Sequence, residues 1–121
     1  MTDQITIYHN PRCRKSRATL TLLHDAGVEP EIILYLEAPP TAQRLRELLQ
    51  AMGMSARDLM RTNEAVYKEL GLADVTLGED ALIEQMVAHP ILIERPIVIA
   101  GEQVRLCRPP ERVGELIGAT S

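Results

Sequence analysis

The chain has 121 residues, enough for one domain, and 45% of them are apolar, which is sufficient for a packed core. The formal net charge of -4 disfavours an extended nucleic-acid surface, and no apolar run is long enough to span a membrane. Residues 1–4 are too polar for a signal peptide, and the cysteines and histidines show no metal-binding spacing. We therefore expect a cytoplasmic protein that uses neither nucleic acid, membrane nor metal.

A strand is predicted at residues 4–8, where Ile5 and Ile7 mark one apolar face. Pro11 ends this strand, and a helix is predicted over residues 13–26, closed by Gly27. Residues 31–36 form a nearly continuous apolar run, which is typical of a central strand. Because a helix separates the two strands, they should pair in parallel.

Residues 41–89 are predicted to be helical throughout. Thr41 and Ser55 stand where helix N-caps are expected, and Gly53 closes the helix that Thr41 begins. Apolar spacing predicts two more helices, at residues 63–70 and 80–88.

Strands return at residues 96–100 and 104–107, close enough together for an antiparallel hairpin. A last helix is predicted from about Pro110 to Gly118. This order predicts an α/β fold, with a four-stranded mixed sheet and flanking helices. We interpret residues 1–121 as one domain that carries a helical insert at about residues 41–90.

Cys13 lies at the predicted junction of strand and helix, where unpaired backbone N–H groups and the helix dipole favour a thiolate. The usual alternative for a lone cysteine is a small buried hydrophobe. The polar, basic neighbours of Cys13 favour the reactive interpretation, whereas Cys107 ends an apolar strand and is predicted to be a core residue. The basic side chains expected to support the thiolate are Arg12, Arg14, Lys15 and Arg17.

Ser16 follows Cys13 in C-x-x-S spacing, so its hydroxyl can donate a hydrogen bond to the thiolate and lower its pKa. An ordinary residue of the first helical turn is an equal alternative. His9 can favour the thiolate as an imidazolium or shuttle a proton, and a loop histidine without a role is equally consistent with the pattern. With one reactive thiol, the second sulfur must come from outside, from glutathione or a partner protein.

Arg95 and Arg108 lie at the start of one hairpin strand and the end of the other, so they should converge. Guanidinium groups bind tetrahedral oxyanions well, through paired charge-assisted hydrogen bonds. Arg61 follows a short helix, but Arg57 at i-4 is an equal candidate by spacing alone. Pro96 after Arg95 permits a cis bond, but because most X–Pro bonds are trans, these residues alone predict a trans bond.

Five motifs follow one another along nearly the whole chain. They are Tyr8-His9-Asn10-Pro11-x-Cys13-x-x-Ser16-Arg17; Tyr35-Leu36-Glu37-x-Pro39-Pro40-Thr41; Arg61-x-Asn63-Glu64; His89-Pro90-Ile91-Leu92-Ile93-x-Arg95-Pro96-Ile97-Val98; and Arg105-Leu106-Cys107-Arg108-Pro109. In these motifs the chain resembles the glutaredoxin-dependent arsenate reductases of the thioredoxin-like superfamily.

The resemblance implies a thioredoxin-like core with a helical insert and no bound cofactor, and it raises the expected frequency of a cis bond before Pro96. It implies that the Cys13 thiolate attacks the arsenic of arsenate, that glutathione then adds as co-substrate, and that glutaredoxin resolves the mixed disulfide. His9 and Ser16 match positions that tune the nucleophile. The oxyanion-binding arginines are matched by Arg61, rather than Arg57, and by Arg95 and Arg108.

Arg12, Arg14 and Lys15 depart from the resemblance, because the best-known members carry small or neutral residues there. A related oxyanion or a thiol adduct is therefore an alternative substrate. Two other functions fit the same fold. One is a regulator of the Spx type that binds RNA polymerase, although the C-x-x-C pair of many such proteins is absent. The other is a monothiol oxidoreductase that acts on glutathione mixed disulfides.

Overall fold

The computed structural model describes residues 4–120. The chain divides into two compact units, one made of the chain up to Ala38 and again from Arg95, and the other of Pro39–Glu94. The elements of the first unit are β1 (Ile5–His9), α1 (Arg14–Asp25), β2 (Glu31–Leu34), β3 (Ile97–Ala100), β4 (Gln103–Leu106), a 3₁₀ turn at Pro110–Val113, and a terminal helix at Gly114–Thr120. The second unit holds α2 (Ala42–Met52), α3 (Ala56–Leu59), α4 (Ala65–Glu69), α5 (Glu79–Ala88) and a 3₁₀ turn at Pro90–Leu92, so the terminal helix is α6.

The first unit is built on a four-stranded mixed sheet in the order β2-β1-β3-β4, which confirms the predicted fold class. β1 pairs with β2 in parallel, as the intervening helix α1 requires, and with β3 in antiparallel register. β3 and β4 form the predicted hairpin, with Ile97 opposite Leu106. Gly101, with φ of 62°, takes the first of the two turn residues, a conformation that suits glycine.

β2 differs from its prediction, because it is an edge strand rather than a central one. It ends at Leu34, and Tyr35 to Glu37 form a turn. Ile32 and Leu34 are 44% and 38% exposed, so the apolar run does not reflect burial inside the sheet. Hydrophobic content alone cannot distinguish a strand covered on both faces from one that presents apolar side chains at an edge.

The core of the first unit lies between the sheet and the helices α1 and α6. Leu23 of α1 and Leu116 of α6 are fully buried there. Helix α1 ends as predicted, since Gly27 has φ of 79° and Val28 N–H donates to the Leu23 carbonyl at 2.9 Å. The buried members of this core are Ile5, Ile7, Leu23, Val98, Ala100, Cys107, Val113 and Leu116.

The second unit is helical and contains the predicted insert. The Thr41 hydroxyl accepts a hydrogen bond from Arg44 N–H at 3.0 Å, and Ser55 and Asp58 complete a capping box. Within the described residues, its only β pairing is an isolated bridge between Met60 and Ile93. The caps therefore act as predicted, since they depend on residues only three positions apart.

Several predicted element ends are wrong by one or more residues. α4 begins at Ala65 rather than residue 63, and α6 continues past Gly118 to Thr120. Glycine lowers helix propensity by about 1 kcal/mol but does not by itself end a helix. None of the described helices is long and apolar enough to cross a bilayer.

Candidate active site

The loop after β1 places Cys13 immediately before α1. Cys13 is the N-cap residue, with extended backbone angles, and its N–H donates to the Asn10 carbonyl at 3.0 Å. The Asn10 side chain in turn accepts a hydrogen bond from Arg12 N–H at 3.0 Å. Arg17 donates from its guanidinium to the Pro11 carbonyl at 2.8 Å. The turn is therefore fixed from both sides, and the cysteine sulfur is partly exposed at the helix N-terminus.

The environment of Cys13 favours its thiolate. Burial raises the pKa of Cys13, but the backbone N–H of Ser16, the guanidinium of Arg95 and the backbone N–H of Lys15 more than offset this, so the pKa lies below its ordinary value. A neutral S–H group is a weak hydrogen-bond acceptor. These donors therefore interact mainly with the ionised sulfur.

The source of the positive charge differs from its prediction. The charged side chain that lowers the pKa of Cys13 is Arg95, from the segment before β3, and not one of the basic residues next to Cys13 in sequence. The side chains of Arg12, Arg14 and Lys15 make no hydrogen bond or ion pair with any described residue, while Arg17 is occupied by Pro11. Residues at a helix start point outward around the axis, so closeness in sequence does not bring their charges to the sulfur.

His9, Asn10 and Ser16 form a buried polar network behind the loop. The Ser16 hydroxyl lies 2.6 Å from His9 Nδ1 and accepts a hydrogen bond from Asn10 N–H at 3.1 Å. Burial, together with the positive charge of Arg17, lowers the pKa of His9 below its ordinary value. The imidazole is therefore neutral near pH 7, which disfavours the expected imidazolium. The Ser16 hydroxyl also differs from its expected donation to Cys13, since the backbone N–H of Ser16 fills that position.

The two hairpin arginines converge at one end of the β3–β4 pair. Arg108 Nη1 donates to the Arg95 carbonyl at 2.9 Å, and Cys107 N–H donates to the Pro96 carbonyl at 2.9 Å. The bonds Arg95–Pro96 and Arg108–Pro109 are both cis. The cis bond before Pro96 agrees with the family resemblance, and the trans bond expected from the general preference of X–Pro bonds is wrong here.

Arg95 carries unmet hydrogen-bonding capacity beside the thiol. Its Nε and Nη1 atoms are buried and have no hydrogen-bond partner within the described chain. Leaving a buried donor unpaired costs about 1–3 kcal/mol, and more for a charged group. A cation held in this way beside a sulfur is arranged to receive an anion.

Arg61 lies in the second unit and is already paired. It forms salt bridges with Glu64, at 3.0 Å, and with Glu94. Burial alone lowers the pKa of Arg61, but the two carboxylates raise it above its ordinary value. The alternative candidate, Arg57, donates to the carbonyls of Leu72 and Asp74, which gives its guanidinium a structural role.

Cys107 has the environment of a core residue, as predicted. Its side chain is fully buried, and burial raises the pKa of its thiol to about 12. Among the described residues, no cluster of His, Cys, Asp or Glu could hold a metal ion. Cys13 is therefore the one thiol of the described chain that is poised for reaction.

Asn10 and Glu94 are the participants that the sequence analysis missed. Asn10 is only 4% exposed and fixes the loop through its N–H, its carbonyl and its side chain. Its position before Pro11 is a turn signal that could have identified it. Glu94 gave no local signal, because its partner Arg61 lies 33 residues away.

Comparison with known proteins gives consistent matches along the whole chain. The ArsC family profile matches residues 8–116. The chain is 52% identical over 115 residues to an arsenate reductase of Escherichia coli K12, covering 95% of this chain and 82% of that protein. It is 60% identical over 119 residues to the uncharacterized protein YfgD of the same strain, covering 98% of this chain and 100% of YfgD.

Solved structures agree with these sequence matches. An arsenate reductase from Vibrio cholerae superposes with a TM-score of 0.92 at 48% identity, covering 96% of this chain and 99% of that one. A protein from Yersinia pestis that is described as a possible arsenate reductase superposes with a TM-score of 0.89 at 52% identity. The match covers 93% of this chain and 99% of that one.

Proposed function

This chain belongs to the ArsC family, and on that basis we propose that it is an arsenate reductase with Cys13 as its nucleophile and external thiols as its reductants. One observation carries the proposal. A cysteine with a lowered pKa lies beside an arginine whose buried Nε and Nη1 atoms lack partners. A tetrahedral oxyanion satisfies both of these donors and brings its central atom to the sulfur.

Arg95 is the first anion-binding group in this proposal, and Arg108, which bonds to the Arg95 carbonyl, is the second. Arg61 completes the set that the family resemblance implies. Its guanidinium is held by Glu64 and Glu94 within the second unit. We therefore expect a smaller contribution from Arg61 than from Arg95, whose buried Nε and Nη1 atoms lack partners.

In the first chemical step the Cys13 sulfur donates an electron pair to arsenic(V) and forms an S–As bond. One arsenate oxygen takes up protons and leaves as water. Glutathione then supplies the second thiol, the arsenic accepts two electrons, and the two sulfurs join. The products are arsenite and a mixed disulfide between Cys13 and glutathione, so two thiols are oxidised for each arsenate reduced.

The electrons have to come from outside the chain. Ser16 occupies the position where a C-x-x-C enzyme has its second thiol, and Cys107 is fully buried with a pKa of about 12. Neither residue can resolve a disulfide at Cys13. A glutaredoxin is the proposed resolving partner, since it exchanges thiols with glutathione mixed disulfides.

The test is arsenate-dependent NADPH oxidation, coupled through glutathione, glutathione reductase and glutaredoxin. We expect turnover in the wild type, loss to background in Cys13→Ser, and retained turnover in Cys107→Ala as the matched cysteine control. Absence of turnover in the wild type, with Cys13 still readily alkylated, contradicts arsenate as the substrate. Turnover of a glutathionylated peptide in that case indicates the monothiol oxidoreductase alternative.

A further inference from the structure

A small cleft borders the loop that carries Cys13, and the mechanism above makes no use of it. It has a volume of about 280 Å3, near the lower end of ligand sites in proteins, about 300–1,000 Å3. Its walls come from the loop after β1 and from the end of β2 with the turn that follows. The lining residues are His9, Asn10, Pro11, Arg12, Leu34, Leu36 and Glu37.

The cleft combines an apolar floor with opposite charges. Leu34 and Leu36 are 38% and 40% exposed, although both are large and apolar. Together with Ile32 they account for three of the five exposed large hydrophobic side chains of the described residues. Arg12 supplies a cation that has no described side-chain partner, and Glu37 supplies an anion. Exposed apolar residues gathered beside charged groups are typical of a binding site.

The basic residues next to Cys13 also lack a role. Arg12, Arg14 and Lys15 do not contribute through their side chains to the lowered pKa of Cys13. All three side chains are exposed, on a chain with a net charge of -4, and of the three only Arg12 lines the cleft.

We propose that this cleft binds the glutathione that supplies the second thiol, an inference that rests on the proposed function. Glutathione carries two carboxylates and one ammonium group, so the Arg12 cation can pair with one of its carboxylates and the Glu37 carboxylate with its ammonium group. Its short apolar stretches suit Leu34 and Leu36. Cys13 N–H is bonded to the Asn10 carbonyl at 3.0 Å, so the same turn forms the cleft wall and holds the nucleophile.

Binding can be tested without arsenate, by titrating the wild-type protein with S-methylglutathione, which has no reactive thiol. We expect saturable backbone amide shifts in the NMR spectrum at His9, Asn10 and Arg12 and at residues 34–37. This result is independent of turnover, so it separates a failure of this inference from a failure of the proposed function. An absence of saturable shifts at millimolar concentration, or shifts concentrated elsewhere, overturns the inference.

Charge reversal provides the second test. In Arg12→Glu we expect the KM for glutathione to rise about tenfold or more, the loss typical of one charge-assisted hydrogen bond, and to rise more than the KM for arsenate. Arg44→Glu is the matched control, because it makes the same change of net charge in the second unit. Equal effects of the two variants on the KM for glutathione overturn the proposed site.

An apolar substitution separates glutathione from a protein partner. Leu34→Glu should weaken binding of S-methylglutathione, whereas Val75→Glu, at a residue 88% exposed in the second unit, should not. If Leu34→Glu leaves binding of the analogue intact and slows only the step that depends on glutaredoxin, the surface contacts glutaredoxin and the inference is wrong.

Discussion

Cys13 and Cys107 lie in the same compact unit, yet their thiol pKa values are shifted in opposite directions from that of an ordinary cysteine. Cys13, at the N-terminus of α1 beside Arg95, has a lowered pKa. Cys107, at the end of β4 and fully buried, has a pKa raised to about 12. The contrast shows that reactivity depends on which donors surround the sulfur. Two backbone N–H groups and one guanidinium outweigh partial burial at Cys13, while full burial dominates at Cys107.

The largest expected difference between the two cysteines is in their rate of alkylation. With a pKa of about 12, a fraction of about 10⁻⁵ of Cys107 is ionised at pH 7, against about 3% of an ordinary cysteine. Cys13 should therefore react with iodoacetamide at least about a thousandfold faster than Cys107 in the native protein. As the pH falls from 9 to 7, Cys13 should lose less of its alkylation rate than a reference peptide thiol does, because its pKa is lowered.

Mass spectrometry of the two cysteine-containing peptides measures both rates in one sample. Unfolding in urea is the control, because it should bring the two rates close together. If the alkylation rates of Cys13 and Cys107 in the native protein lie within tenfold of each other, the proposed difference in their pKa values is wrong.

Removing the charge beside Cys13 should weaken the contrast. In Arg95→Ala the pKa of Cys13 should rise, because the guanidinium is the charged side chain that lowers it. Binding of the oxyanion should weaken by about ten- to a hundredfold, as expected for the loss of hydrogen bonds from a charged group. The midpoint of alkylation against pH and the KM for arsenate measure the two effects.

Arg105→Ala is the matched control, since Arg105 lies on the neighbouring strand β4 and pairs with the exposed Glu115 at 3.0 Å. An unchanged alkylation midpoint in Arg95→Ala shows that the backbone N–H groups alone ionise Cys13.

The smallest expected effect on the pKa of Cys13 is that of Ser16→Ala, which tests the role of the Ser16 hydroxyl. Ser16→Ala removes the hydroxyl partner of His9 and Asn10 in a fully buried position, so the free energy of unfolding should fall by about 1–3 kcal/mol. The pKa of Cys13 should change little, because the backbone N–H of residue 16 remains. Urea denaturation and the alkylation midpoint test the two statements. A clear rise of the Cys13 pKa in this variant supports the hydroxyl donation expected from the C-x-x-S spacing.

The elements of this fold were predictable wherever the signal is local. Thr41 and Ser55 cap their helices through partners three residues away, and Gly27 and Gly53 close helices with positive φ angles. The pairs β1–β2 and β3–β4 also follow from the sequence of elements, since parallel strands need a crossover and a short turn makes a hairpin. The pairing of β1 with β3, which joins the two pairs into one sheet, does not follow from it. The position of β2 at the edge was not predictable, because its apolar run is equally compatible with a covered strand.

The candidate site was predictable in its residues more than in its contacts. Cys13 and the convergence of Arg95 with Arg108 followed from the predicted elements. That Arg95 supplies the positive charge at the sulfur did not, because it depends on tertiary packing between distant segments. The pairing of Arg61 with Glu94 was not predictable for the same reason.

The place of Cys13 at the start of α1 also determines how its sulfur departs from a covalent intermediate. A neutral thiol is a weak hydrogen-bond acceptor, whereas the N–H groups of Ser16 and Lys15 stabilise the ionised sulfur. In thiol exchange the sulfur with the lower pKa is expelled faster. A mixed disulfide at Cys13 therefore breaks in the direction that releases this thiolate, and the attacking partner retains the glutathione. The donors that prepare the nucleophile thus also make it the better leaving group, which returns the protein to its starting state after each cycle.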